Sequence, residues 1–112
     1  MKITIKKSID LTPSLEAYIE TKLVPLAKFV QPFDATGEAA MGFELSRTTK
    51  HHKKGEVYFV ALDLRLPKRV IRAEAYAENV RKAIDEARDV LRLEIKKYKT
   101  QFMKVERGGK EK

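Results

Sequence analysis

Arg81, Arg88, Arg92, Lys96 and Lys99, near the end of the chain, form the clearest chemical pattern in the sequence. Cations held in a row bind an anionic array such as a phosphate backbone. At about 100° per residue Arg81, Arg88, Arg92 and Lys99 fall nearly in line along one flank of a helix, with Lys96 just beyond. Asp85 shares that flank, four residues after Arg81 and three before Arg88, so part of this charge can pair within the helix. One carboxylate cannot neutralise five cations, and the ridge reads as an anion-binding surface. Lys53 and Lys54 are further candidates, in the basic run Arg47 to Gly55, which reads as a solvated hairpin loop suited to polyanion contact. The catalytic inventory is poor. No serine sits in a G-x-S-x-G, there is no Gly-rich phosphate loop, and the carboxylates mostly stand beside Lys or Arg. His51 and His52 are adjacent, so their side chains diverge in an extended chain, and no Cys or carboxylate lies at zinc-like spacing. The expectation is a binding protein with no enzymatic activity, no metal and no cofactor.

The ridge needs a helix to hold it straight. Val80, Ile84, Ala87, Leu91, Ile95 and Tyr98 recur at spacings of three and four, which predicts a helix over Asn79 to Lys99 with one stripe against a core. Its other flank, with Glu86 and Lys97, is mixed. Upstream, Lys2 to Lys7 alternates Ile3 and Ile5 with polar residues and predicts a strand with one buried face. Thr12 and Pro13 predict a helix start, and a helix to about Val30 follows with a stripe of Leu15, Tyr18, Ile19, Leu26 and Phe29. Pro25 is expected to kink or interrupt its last turns. Lys22 falls within the stripe, where a cation is expected to lay its stem over the core and emerge at the helix edge. Met41, Phe43 and Leu45 alternate as a second strand, which can lie parallel to the first through a right-handed crossover. Glu56 to Leu66 carries apolar residues on both faces, as a central strand does, and after the turn at Pro67-Lys68-Arg69 the residues Ile71, Ala73 and Ala75 alternate as a fourth strand. The order β-α-β-β-β-α predicts a two-layer α+β domain, with two helices packed on one face of a four-stranded mixed sheet. The domain spans residues 1–99, and residues 100–112 read as a basic, disordered tail.

Composition agrees with a charged partner. The 112 residues suit one domain, and 24 Lys and Arg against 16 Asp and Glu give a formal charge of +8, which favours nucleic acid. A membrane surface is the weaker reading, because the core consumes the apolar stripes. No signal peptide or transmembrane span is expected, and the absence of cysteine fits a reducing cytoplasm.

Several segments resemble the family of ribosome hibernation-promoting factors and ribosome-associated inhibitors of bacteria and plastids, also catalogued as sigma-factor modulation proteins. The segments are Ile71-Arg72-Ala73-Glu74-Ala75, Ala83-Ile84-Asp85 and Lys97-Tyr98-Lys99, with Leu15, Tyr18-Ile19, Lys22-Leu23, Leu26 and Phe29 in the first helix. The resemblance covers Lys2 to about Lys99. It implies a fold similar to a double-stranded RNA-binding domain. The implied action is binding in the small ribosomal subunit where messenger RNA and tRNA anticodons sit, which blocks translation during stress or stationary phase. It makes Lys22 and the basic flank of the last helix candidates for contact with rRNA. Asn79 and Arg81 depart from the family, which has an acidic residue and then an aromatic before Ala-Ile-Asp. The chain resembles the short form and is expected to be monomeric, with no small-molecule substrate. The alternative is a general binding module for structured RNA without ribosomal preference; a third reading, regulation of a protein such as a sigma factor, rests only on the family's old label.

Overall fold

The computed structural model describes residues 2–34, 39–48, 57–66 and 69–111, with side chains through Gln101 except that of Phe33. Residues 49–56, and with them His51, His52, Lys53 and Lys54, lie outside the described residues, as do Pro67 and Lys68 of the expected turn. The elements follow the order read from the sequence: β1 Lys2–Lys7, α1 Pro13–Val30, a 3-10 turn at Gln31–Phe33, β2 Ala40–Thr48, β3 Val57–Leu66, β4 Arg69–Ala77 and α2 Val80–Glu111. The sheet order is β1-β2-β3-β4. The pair β1–β2 is parallel and the other two pairs are antiparallel, so β4 runs in the direction of β1. The fold is therefore the expected α+β arrangement of two helices and a four-stranded mixed sheet.

Thr12 starts α1: its Oγ1 accepts the Leu15 N–H at 3.1 Å, and Pro13 takes the first turn, where a missing N–H costs nothing. Such a cap contributes about 1 kcal/mol. Of the kink or interruption expected at Pro25, the interruption does not occur, and the helix runs unbroken to Val30. Its buried residues are Leu15, Ile19, Leu23, Leu26 and Val30, a stripe rotated from the expected one. Tyr18 and Phe29 are only half-buried at the edge of the core, on the same flank as Lys22 and about 80° round from the stripe's centre. That flank faces α2.

The sheet's helix side buries Met41, Phe43 and Leu45 from β2, Val60, Leu62, Leu64 and Leu66 from β3, and Ile71, Ala73, Ala75 and Ala77 from β4. The small β4 residues let α2 lie close over β4 and β3. Val57 and Ala61, on the other face of β3, are buried as well, which is what a central strand requires. There Arg72 bridges Asp63 at 2.6 Å and Glu74 at 2.8 Å, and Phe59 packs on Tyr76 with ring centroids 4.9 Å apart. The expectation for β1 is corrected. Neither of its faces is buried, with Ile3 37% and Ile5 47% exposed, because β1 is the sheet's edge and the groove between it and α1 stays open. Ile3, Ile5, Leu11 and Val24 line that groove.

The Asn79 side chain caps α2, its Oδ1 accepting the N–H groups of Arg81 at 2.8 Å and Lys82 at 3.3 Å. Ala83, Ile84, Ala87, Leu91, Ile95 and Tyr98 are buried, and Val80 packs against them, as the periodicity predicts. The helix does not end near Lys99 but continues through Glu111. Extension of a formed helix adds one hydrogen bond per residue fixed, and no proline stops it. Tyr98 is the last buried side chain among the described residues, and beyond it Gln101 Oε1 accepts from Arg69 Nη1 at 2.6 Å.

Candidate nucleic-acid interface

Because β4 runs with β1, the helices that follow them also run side by side in one direction, and the residues facing across the seam rise together. Tyr18 meets the start of α2 and Phe29 meets its middle. At the first crossing the Arg81 guanidinium carbon stands 5.2 Å from the Tyr18 ring centroid, and its Nη2 donates to Ser14 Oγ at 2.9 Å. Lys22 Nζ lies 5.1 Å from the same ring. The Tyr18 hydroxyl donates to Asp85 Oδ1 at 2.6 Å, and that oxygen is also 3.5 Å from Lys22 Nζ. At the second crossing the Arg92 guanidinium carbon stands 5.2 Å from the Phe29 centroid. The Asp85 hydrogen bond is the main reason the Tyr18 phenol is held above its usual pKa of 10; burial and the Asp85 charge act in the same direction, opposed by Arg88 and Arg81.

The candidates are not equally available. Arg88 turns to Asp89, whose Oδ1 accepts from Nε at 3.0 Å and lies 2.8 Å from Nη2, so its charge is largely spent on a neighbour. Asp85, which stands at pairing distance in sequence from Arg81 and Arg88, instead serves Tyr18 and Lys22 of α1. Among the described residues no carboxylate lies within 4.0 Å of Arg81, Arg92, Lys96 or Lys99, and all four are exposed. The Lys22 side chain is half-buried, and its Nζ emerges at the helix edge, where it joins the seam. The structure thus brings Lys22, Arg81, Arg88, Arg92, Lys96 and Lys99 onto one side of the helical layer, while Lys53 and Lys54 lie outside the described residues. Tyr18 and Phe29 were not among the residues expected at this site. Their shared flank with Lys22 was the available signal. No three-residue group of metal-ligand type occurs among the described residues. The chemistry on offer is charge-assisted hydrogen bonding to phosphate oxygens.

A small α+β domain presenting fixed cations along a two-helix seam is the class that fold and site define. Residues 2–102 match the family described as Sigma 54 modulation protein / S30EA ribosomal protein, and the chain belongs to that family. A ribosome hibernation promotion factor of Deinococcus radiodurans is 27% identical over 104 residues, covering 93% of this chain and 51% of the relative, so the chain spans about half the length of that curated relative. The fold recurs in a ribosomal subunit interface protein from Coxiella burnetii, with TM-score 0.69 and 22% identity over 89% of this chain and 99% of the other. It recurs also in the N-terminal domain of Protein Y from Thermus thermophilus, with TM-score 0.65 and 24% identity over 88% and 99%.

Proposed function

We propose that the chain is a ribosome-binding translation inhibitor that occupies the messenger RNA and tRNA channel of the small subunit during stress or stationary phase, and so promotes ribosome hibernation. It acts in the cytoplasm as a monomer, by occupancy and not by chemistry. Among the described residues, no helix is long and apolar enough to cross a membrane. The observation that carries this reading is the set Arg81, Arg92, Lys96 and Lys99, exposed along α2 with no carboxylate to neutralise them among the described residues. The names of the relatives, a hibernation promotion factor and a subunit interface protein, supply the address that phosphate contacts alone cannot.

Sedimentation of the protein with a cell lysate tests this directly. It is expected to run with small subunits and intact ribosomes, and to be released as salt rises. Four or five phosphate contacts correspond to a log–log slope of roughly −3 to −4.5. A protein that stays at the top of the gradient, or a slope near zero, contradicts the proposal. Release by an equal mass of unrelated folded RNA would mark a general structured-RNA module instead.

A further inference from the structure

The two arginines with aromatic partners are arranged as a matched pair. Tyr18 and Phe29 on α1 have the same separation in sequence as Arg81 and Arg92 on α2, about three helical turns. Since the two helices run in the same direction, each ring lies against its own arginine, with guanidinium carbons 5.2 Å from the ring centroids at both crossings. An aromatic face holds a guanidinium without cancelling its charge, and the ring takes none of the in-plane N–H donors that a phosphate needs. Arg88 shows the contrast: Asp89 engages both its Nε and Nη2. The Tyr18 ring is itself held, by the 2.6 Å bond from its hydroxyl to Asp85, while the Asp85 charge is directed to Lys22 and leaves Arg81 free of a carboxylate.

We infer that Tyr18 and Phe29 are positioning residues, aromatic seats that hold Arg81 and Arg92 at a fixed spacing so that the seam prefers the rigid phosphate array of folded RNA over single-stranded RNA. The inference rests on the RNA-binding reading proposed above and adds to it the source of selectivity. Three turns of helix separate the two guanidinium groups by about 16 Å along the seam. A seated arginine has given up its rotamer freedom before the ligand arrives, so a ligand whose phosphates are already fixed loses little further entropy on binding. A flexible strand profits less, because it must order its phosphates to meet guanidinium groups held at that one spacing, whereas unseated arginines could move to follow it.

The experiment is a double-mutant cycle on the full chain, with an RNA hairpin and an oligouridine of equal length as probes at one salt concentration. Phe29→Leu is expected to weaken hairpin binding by about two- to five-fold, the worth of one such contact, and to leave oligouridine binding unchanged. In an Arg92→Gln background Phe29→Leu should have no further effect on either RNA, because the seat has lost its occupant. Phe29→Tyr, which keeps the ring face, should retain the preference. The same cycle with Tyr18→Leu and Arg81→Gln repeats the test at the other crossing if Phe29→Leu fails to fold. Equal losses on both RNAs, or the same loss with and without Arg92, overturn the inference and reduce Phe29 to packing. If Arg92→Gln itself changes neither affinity, the RNA-binding reading fails as well, and the two failures are thereby distinguished.

Discussion

Reversing Arg92 and Lys96 together to Glu is expected to abolish co-sedimentation with ribosomes while leaving the domain folded. Both side chains are exposed, and neither has a carboxylate partner among the described residues, so Lys96→Glu should cost stability only within about 0.5 kcal/mol, and Arg92→Glu, which also leaves the Phe29 ring, about 0.5–1 kcal/mol. Binding is affected far more. A hydrogen bond to a charged group is worth about 1.5–3 kcal/mol, so losing two phosphate contacts amounts to about 3 kcal/mol or more, over 100-fold in affinity, before repulsion by the new carboxylates is added. Arg88→Glu alone should cost less than Arg92→Glu alone, because Asp89 already occupies Arg88. Gradient sedimentation with a parallel melting curve measures both quantities. Unchanged binding by a folded double variant would leave the ridge as a merely solvated face.

The second large effect concerns the support under the ridge. Leu91 is 0% exposed, in the middle of the α2 stripe, and Leu91→Ala removes buried methyl groups and leaves a cavity. Such truncations cost about 2–5 kcal/mol against a total stability of about 5–15 kcal/mol. The melting temperature should fall by roughly 10–20 °C. Leu93, two residues on and 59% exposed, provides the control, and Leu93→Ala should stay within about 0.5 kcal/mol of the parent. Equal effects at the two positions in a thermal melt would mean that α2 does not pack on the sheet by this stripe.

Much of this architecture is legible in the sequence, and the failures share a cause. The α2 stripe was readable because six apolar residues at helical spacing admit one orientation, and the cationic flank follows from it by rotation alone. Periodicity says which residues share a face; it does not say whether anything covers that face. Ile3 and Ile5 alternate as a half-buried strand does, yet β1 is an edge and the helical layer leaves its groove open. The buried face of α1 was likewise placed too far toward Tyr18 and Phe29, since aromatic residues count as core on a wheel whether they face the sheet or a neighbouring helix. Asp85 shows the same limit in electrostatics. Within α2 its neighbours at helical spacing include Arg81, Lys82 and Arg88, but its partners lie on α1, 67 residues away in the case of Tyr18. Contacts between elements so distant in the chain carry no local signature.

In the proposed function the helical seam occupies the decoding channel of the small subunit. The chain has no cysteine, so Leu93→Cys supplies one exposed attachment point on α2 for an iron chelate that cleaves nearby RNA by hydroxyl radicals. With the tethered protein bound to ribosomes, cleavage is expected in small-subunit rRNA around the sites of messenger RNA and tRNA anticodons, and it should vanish when messenger and initiator tRNA are bound first. Cleavage confined to other regions of the ribosome, or undiminished by prior binding of messenger and tRNA, would contradict the account.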